Sequence, residues 1–336
     1  MTAARRWPHR PGPGLLLRRA ILWSNMLWLA MVSASPAEAT ALAAATPAAE
    51  IIEIADGIYV RPGRTAVLFE ADNVANLGLV IGTRCVAVID SGGSPAEGRA
   101  FDAAIGAVTD LPVCYVINTH VHPDHVLGNG AFEREDVEFI GHDNLPRAMA
   151  LRGDTYLQRA SEYFASKAGL AEDAAHAGHI VLPERTVAGQ VELDLGQRIL
   201  TLRSHATAHT DNDLSVLDVQ TGTLFIGDLA FLDHLPVLDG SINGWLDELE
   251  KLMGETYRQV VPGHGPARAD WPQGGAATAD YLHDLRQSAR TWIARGGDLA
   301  AAQERIEPAR PERWQLIGQY HKRNVAAAFA ELEWED

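Results

Sequence analysis

Three histidines and one aspartate fall within six residues of this chain, in the run Thr119-His120-Val121-His122-Pro123-Asp124-His125. Imidazole nitrogens and carboxylate oxygens at this density are the donors that metals such as zinc and iron prefer in proteins. The run directly follows an apolar segment, residues 113–117, that is typical of a buried strand. Ligands at the end of a core strand are held rigidly with open metal positions, so the pattern predicts a catalytic metal site on a fold that contains a sheet.

A histidine-rich surface loop and a closed structural zinc site are the two alternatives to a catalytic site for this run. The run contains no cysteine, whereas structural zinc sites usually use cysteine. Further candidate ligands also follow other predicted strands, namely His209, Asp228 and His264. The catalytic interpretation is therefore favoured.

The order of predicted elements indicates an α/β fold. Strand-like segments at 51–60, 66–70, 77–81 and 85–90 precede a predicted helix over 95–108 and the strand at 113–118. Strands joined through a helix are normally parallel neighbours. Later patterns predict the following elements: strands at 137–140, within 191–205, at 214–218, 224–228 and 259–261, and helices over 146–167, 245–253 (with Ser241 as N-cap) and from Thr278 onward, with breaks at 296–297 and 308–311. This order predicts two sheets between helices, with the metal ligands at strand ends along one edge.

Composition restricts the partners. The chain has 336 residues, 47% of them hydrophobic, and a formal net charge of −16. That hydrophobic fraction is sufficient for a large core. So acidic a surface repels nucleic acid and anionic membranes, which excludes both as expected partners.

The N-terminal residues have the pattern of a targeting segment. Arg18-Arg19 precede an apolar run over 20–32, and Ala37-Glu38-Ala39 places small residues where a signal peptidase cleaves. The apolar run is short for a membrane span, so cleavage rather than stable insertion is expected. We therefore predict a signal peptide over 1–39, a flexible spacer over 40–50 and a periplasmic protein. The paired arginines leave both Sec and twin-arginine export open.

The chain has two cysteines, Cys85 and Cys114, each within an apolar strand-like run. Two buried free thiols are the favoured prediction. Export leaves a disulfide as the alternative, because the two strands are expected to be neighbours in one sheet.

Taken together, the run His120-x-His122-x-Asp124-His125, the later His209, Gly227-Asp228 and Gly263-His264 resemble the ordered motifs of the metallo-β-lactamase fold superfamily. The resemblance covers about residues 51–268. It implies an αβ/βα four-layer sandwich over 51–270, followed here by a helical C-terminal extension over 271–336. It also implies a binuclear metal site, usually zinc, with iron as an alternative.

The resemblance assigns a role to each motif residue. It implies that His120, His122 and His209 hold one metal, that Asp124, His125 and His264 hold a second, and that Asp228 bridges them. Asp90 matches an acid that supports the ligand loop from behind. From their places in the chain, His205 is a second candidate for such support, and His234 is a candidate for contact with substrate. Residues 68–75 and 153–184 are expected to set specificity.

A narrower resemblance rests on the exported leader, residues 84–94, 141–146 and 321–325. These segments are similar to periplasmic quinoprotein relay system zinc metallohydrolases and to SoxH-like proteins. The similarity makes a periplasmic quinoprotein dehydrogenase a candidate partner, in addition to a small-molecule substrate.

The predicted function is hydrolysis of an ester, thioester or lactam-type carbonyl by a metal-bound hydroxide, with Asp124 orienting the nucleophile. A carboxylate at the position of Asp228 is typical of the glyoxalase II-like hydrolases, whereas many zinc β-lactamases carry Cys or Ser there, so ester or thioester cleavage is favoured. The alternatives are a mononuclear iron sulfur dioxygenase-like oxidoreductase, a class B β-lactamase and a quinoprotein accessory protein.

Overall fold

The computed structural model describes residues 50–165 and 178–335. The predicted signal peptide and almost all of the predicted spacer lie outside these residues. The described residues belong to one compact unit. No helix within the described residues has both the length and the apolar character needed to cross a membrane.

Within the described residues, the strands and helices alternate much as the sequence predicts. The strands are β1 (Ile52–Ala55), β2 (Ile58–Arg61), β3 (Leu77–Ile81), β4 (Val86–Ile89), β5 (Val113–Ile117), β6 (Glu138–His142), β7 (Arg185–Val187), β8 (Gln190–Asp194), β9 (Ile199–Ser204), β10 (Leu214–Asp218), β11 (Thr223–Phe231) and β12 (Gln259–His264). The helices are α1 (Pro95–Val108), α2 (Pro123–Val126), α3 (Leu145–Ala165), α4 (Ile242–Met253), α5 (Gln273–Ala294), α6 (Leu299–Arg305) and α7 (Ile317–Leu332).

The strands form two sheets. One has the order β1-β2-β3-β4-β5-β6-β7, and the other has the order β12-β11-β10-β9-β8. β4, β5, β6 and β7 follow one another as parallel neighbours, which confirms the parallel pairing predicted for the two strands on either side of α1. β11 and β12 are also parallel, whereas β8 to β11 are antiparallel. Parallel strands end at the same edge of their sheet. The loop after β5 therefore lies beside the ends of β4 and β6, and the loop after β12 lies beside the end of β11.

Three apolar clusters show the layer order. Ile89, Ile117, Val216 and Phe225 belong to a cluster contributed by both sheets, so the sheets pack face to face. The other face of the first sheet packs on α1 through residues such as Phe101 and Ile105. The other face of the second sheet packs on α4, α5 and α7 through a cluster that includes Leu224, Ile226, Trp245, Leu249, Leu282 and Val325. The four-layer αβ/βα sandwich with C-terminal helices is therefore confirmed.

Local signals account for the limits of the helices that support the second half of the fold. The Ser241 side chain accepts a hydrogen bond from the Gly244 amide, which is the N-cap predicted for α4. The predicted breaks at 296–297 and 308–311 separate α5, α6 and α7.

One predicted strand is wrong. Residues 66–70 do not pair with a strand, because the Arg64 amide donates to the Asn73 carbonyl and closes the segment as a loop. Phe69 within it has a positive φ of 66°, which a strand residue does not adopt.

The favoured prediction of free thiols is also wrong. Cys85 and Cys114 form a disulfide, with their Cα atoms 5.8 Å apart. The physical reason is the pairing of β4 with β5, which brings the two residues close together in one sheet.

Candidate metal centre

All seven predicted ligands are buried and gather at one edge of the two sheets. His120, His122, Asp124 and His125 follow β5 or lie in α2, and His209 lies in the loop between β9 and β10. Asp228 lies within β11, and His264 is the last residue of β12. The neighbouring strand ends therefore bring together residues that are far apart in the chain.

The seven residues form two groups in which one ligand atom from each residue lies within 4.8 Å of the others. The first group is His120, His122, His209 and Asp228. The second group is Asp124, His125 and His264. These are the two ligand sets that the sequence motifs imply.

Asp228 joins the two groups. Its Oδ2 lies 3.6 Å from His120 Nε2 and 3.7 Å from His209 Nε2, both in the first group. The same carboxylate lies 3.4 Å from His125 Nε2 and 3.3 Å from His264 Nε2, both in the second. The carboxylate is thus within reach of both groups at once, as a bridging ligand must be.

The chemistry of these donors fits metal binding. Four buried atoms at the centre have no hydrogen-bond partner within the described residues: Nε2 of His120, His125 and His209, and Oδ1 of Asp228. A buried polar atom left unpaired costs free energy, which metal coordination offsets. Imidazole and carboxylate together suit zinc and also iron.

Asp90 orients two of the histidines from behind. Its Oδ2 is 2.8 Å from His125 Nδ1 and also accepts a hydrogen bond from the Thr119 hydroxyl. That hydroxyl lies 3.1 Å from His120 Nδ1, and the Thr119 amide donates to Asp90 Oδ1. With Nδ1 occupied, Nε2 of each ring is left for the centre. Asp90 itself has a φ of 59°, a left-handed conformation that Asp tolerates and that is concentrated at functional sites.

Two more histidines are oriented by residues that sequence reasoning did not identify. His264 Nδ1 is 3.0 Å from the Val74 carbonyl, which leaves Nε2 facing Asp124. His122 Nε2 is 3.0 Å from Asp239 Oδ2, so Nδ1 is the ring nitrogen left to bind a metal. Asp239 lies 117 residues from His122, and no local pattern in the sequence connects them.

Asp239 also accepts from two arginines on separate helices. Arg152 of α3 donates to Oδ2, and Arg323 of α7 donates to Oδ1 at 3.0 Å. Burial opposes ionisation of Asp239, but the hydrogen bonds from His122 and Arg152 hold the pKa of this carboxyl well below its usual value. The carboxylate is therefore charged at neutral pH and links a predicted ligand to both helices.

Helix α7 fixes the segment that carries Asp239. Asn324 accepts a hydrogen bond from the Leu238 amide at 2.9 Å and donates to the Pro236 carbonyl at 2.6 Å. Tyr320 accepts a hydrogen bond from the Leu68 amide at 3.3 Å. The C-terminal helix is thus part of the site rather than a separate appendage.

Two glycines, Gly227 and Gly263, set the position of Asp228. Gly227 has a φ of 56° at an irregularity in the pairing of β11 with β12, which redirects the chain before Asp228. A side chain at Gly263 would overlap Asp228 Oδ1. The Gly-Asp and Gly-His pairs of the sequence are therefore one packing arrangement.

The two groups differ in electrostatics. Burial lowers the pKa of His120 well below its usual value, and the pKa of His122 is lowered in the same way. Both rings are neutral at pH 7 with a lone pair available for a metal. In the second group burial also acts to lower the pKa of His125, yet Asp124 and Asp90 outweigh it and raise this pKa to about 9. Burial acts to raise the pKa of Asp124, but His125 and His264 outweigh it and lower this pKa to about 2.

A cavity of about 150 Å³ opens onto the centre. Predicted ligands form its floor: His122, Asp124, Asp228 and His264. Its walls come from residues 66–74, α3, the end of β11 with the segment after it, and α7: Ala66, Leu68, Phe69, Val74, Arg152, Tyr156, Arg159, Phe231, His234, Val237, Asp239, Tyr320 and Arg323. Residues within 68–75 and 153–165 thus reach the cavity, whereas 166–177 of the segment expected to set specificity lie outside the described residues.

The remaining two predicted residues, His234 and His205, have different surroundings. His234 lines the cavity, with its ring 4.7 Å from that of His264 and 5.8 Å from that of Tyr320, which is where a substrate-contacting residue would lie. His205 uses Nδ1 toward Glu248 at 2.9 Å and Nε2 toward Ser215 at 2.7 Å. Because both ring nitrogens are occupied by residues other than the seven, the predicted support of a ligand by His205 is not what the structure shows.

Comparison with known proteins gives the family. The family model of the metallo-beta-lactamase superfamily matches residues 72–264, which is more than half of the chain and contains every predicted ligand. The chain belongs to the metallo-beta-lactamase superfamily. Members of this superfamily are generally metal-dependent hydrolases, and the paired His/Asp groups provide metal-binding donors in this member.

Solved structures of this superfamily share the fold at low sequence identity. A metallo-beta-lactamase from Pontibacter korlensis is 18% identical, with a TM-score of 0.54 over 70% of this chain and 98% of its own. TMB-1 is 16% identical, with the same TM-score and the same coverage of both chains. A double mutant of the sec-alkyl sulfatase PisA1 is 17% identical, with a TM-score of 0.63 over 85% of this chain and 51% of its own. No curated protein matches significantly in sequence.

Proposed function

We propose that this superfamily member is a binuclear zinc hydrolase that cleaves an ester or thioester carbonyl. The observation that carries the proposal is the position of Asp228, which lies within 3.7 Å of histidines from each ligand group. His120, His122 and His209 would hold one zinc, Asp124, His125 and His264 the other, and Asp228 both. The unpaired Nε2 atoms of His120, His125 and His209 support this assignment.

When bound, the two zinc ions would supply Lewis acidity toward a carbonyl oxygen and make a coordinated water acidic near neutral pH. The chain supplies positioning and proton transfer. Asp124 is ionised at neutral pH, because its pKa falls to about 2, so it can accept a hydrogen bond from the attacking water and orient it. Asp90 and Asp239 hold His125 and His122 in the required orientations.

The carboxylate at position 228 favours ester or thioester substrates over β-lactams, which leaves lactam hydrolysis as a side activity. We further propose that the protein is related more narrowly to the quinoprotein relay system zinc metallohydrolases. The similarity of segments 84–94, 141–146 and 321–325 supports this relationship.

Metal analysis with activity tests this proposal. We expect about two zincs per chain and chelator-sensitive hydrolysis of a chromogenic thioester that exceeds hydrolysis of a chromogenic cephalosporin. Asp228→Asn should abolish turnover and lower the zinc content while the thermal unfolding of the metal-free protein stays close to that of the wild type. One iron per chain with no hydrolysis would contradict the proposal and favour the sulfur dioxygenase-like alternative, since zinc has no redox chemistry.

We also propose that the protein is exported to the periplasm and works beside a quinoprotein dehydrogenase. The paired arginines, apolar run and Ala37-Glu38-Ala39 of the leader support export. The Cys85–Cys114 disulfide is consistent with it, because disulfides persist mainly outside the cytosol. Cell fractionation with N-terminal sequencing tests export, and cross-linking in periplasm followed by identification of the captured dehydrogenase tests the partner. A full-length cytosolic protein would contradict both.

A further inference from the structure

Three arginines line the cavity of this acidic protein. Arg152 and Arg159 are seven residues apart on α3 and so lie on the same helix face, together with Tyr156 between them. Arg323 reaches the cavity from α7. The chain as a whole has a formal charge of −16, so this concentration of positive charge is local to the site.

The three guanidinium groups are not equally neutralised. Arg152 and Arg323 share one carboxylate, Asp239, which also accepts from His122. Arg159 has no hydrogen bond or ion pair within residues 50–165 and 178–335. The other cavity carboxylates, Asp124 and Asp228, face the histidines of the metal centre. One cationic side chain at the cavity wall is therefore available to an anionic ligand.

Other parts of the wall are apolar. Leu68, Phe69, Val74 and Val237 line the same space. At about 150 Å³ the cavity is smaller than the roughly 300–1,000 Å³ of pockets for drug-sized ligands. A short aliphatic chain that ends in a carboxylate matches this combination of small volume, apolar wall and free guanidinium. Arginine binds carboxylates through paired N–H donors, which also fixes the orientation of the chain.

We propose, on the basis of the proposed hydrolase function, that the substrate is a short acyl thioester or ester that carries a carboxylate, and that Arg159 recognises this carboxylate. The scissile carbonyl then lies toward Asp124 and His264, and the aliphatic part lies against Phe69 and Val74. Arg159 is a specificity-determining residue in this arrangement.

Two thioesters of the same thiol test the inference with the zinc-loaded enzyme: the hemisuccinyl thioester, which carries a carboxylate, and the butyryl thioester, which ends in a methyl group. We expect kcat/KM for the hemisuccinyl thioester to exceed that for the butyryl thioester at least tenfold, about the size of a charge-assisted hydrogen bond. Arg159→Gln should lower this ratio about tenfold, because that bond is lost. Arg159→Lys should retain part of it, and rising ionic strength should reduce the wild-type ratio.

Arg147→Gln is the matched control, because Arg147 lies on the same helix, is exposed and does not line the cavity. It should keep the wild-type ratio. Hydrolysis of both thioesters without preference for the hemisuccinyl one, or a preference that persists in Arg159→Gln, would overturn the inference and leave the hydrolase standing. Hydrolysis of neither thioester would overturn the proposed hydrolase function and the inference with it.

Discussion

Replacing Asp239 by Asn should weaken zinc binding strongly and lower the stability of the metal-free protein only slightly. In the wild type the carboxylate accepts from three donors, His122, Arg152 and Arg323. The amide of Asn offers one acceptor oxygen and places an NH₂ group where the second oxygen was. At least one donor then loses its acceptor, and the His122 ring loses the charged partner that fixes it.

The size of each effect follows from exposure and contact. The arginine side chains are 35% and 52% exposed, so each of their pairs with Asp239 contributes at most about 1 kcal/mol to stability. His122 is buried, and loss of a group that orients a metal ligand typically costs about 10- to 100-fold in metal affinity, or about 1.4 to 2.8 kcal/mol. We therefore expect Asp239→Asn to weaken zinc binding by about 10- to 100-fold, with a loss of only about 1–2 kcal/mol in the free energy of unfolding of the metal-free protein.

Competition with a chromogenic zinc chelator measures the affinity, and urea unfolding of the metal-free protein measures the stability. Asp143→Asn is the matched control, since Asp143 lies 2.8 Å from His142 and that histidine is not a predicted ligand. The control should bind zinc like the wild type. Unchanged zinc affinity in Asp239→Asn, with the fold intact, would refute the role of Asp239 in holding His122.

Three further predictions concern packing, cross-linking and pH. Gly263→Ala should displace Asp228 and lower the rate of hydrolysis in steady-state kinetics about 100-fold. Gly106→Ala is the control and should keep the wild-type rate, because its added methyl group would meet open space. Equal rates for the two variants would contradict the packing argument. Cys85→Ala with Cys114→Ala should lower the free energy of unfolding by about 3–4 kcal/mol, from the 29-residue separation, and should abolish the effect of reductant in urea unfolding. The hydrogen bond with His205, helped by Lys251, outweighs burial and lowers the pKa of Glu248 to about 2, so the stabilisation it gives is present above about pH 4.5 and is lost as pH falls toward 2. The stability difference between wild type and Glu248→Gln should therefore shrink over that range in urea unfolding, and a constant difference would contradict the assigned cause.

Sequence reasoning succeeded where the decisive information is local. The histidine run, the helix between β4 and β5 and the N-cap at Ser241 each depend on residues that are close in the chain. Gly-Asp and Gly-His could be recognised because each glycine directly precedes its candidate ligand, in the order of a known family's motifs. The order of these motifs was enough to predict that all seven candidate ligands lie at one edge of the sheets.

It failed where long-range contacts decide. Asp239 contacts His122 across 117 residues of chain, and Arg323 contacts Asp239 from α7; neither residue has a local pattern that predicts these contacts. The strand expected at 66–70 has the right composition but no partner strand, because a backbone bond closes it as a loop. β7 spans only three residues, too few to show a periodicity. The disulfide depends on register between two strands, which the cysteines themselves do not encode.

The position of α7 has a consequence for how the cavity can be altered. All seven predicted ligands precede α5 in the chain, whereas Tyr320 and Arg323 complete the cavity from the last helix. Part of the wall is thus supplied by a segment that holds none of the metal donors. Substitutions in this helix can change the entrance of the cavity without removing a donor, so the access route and the ligand set can be varied separately.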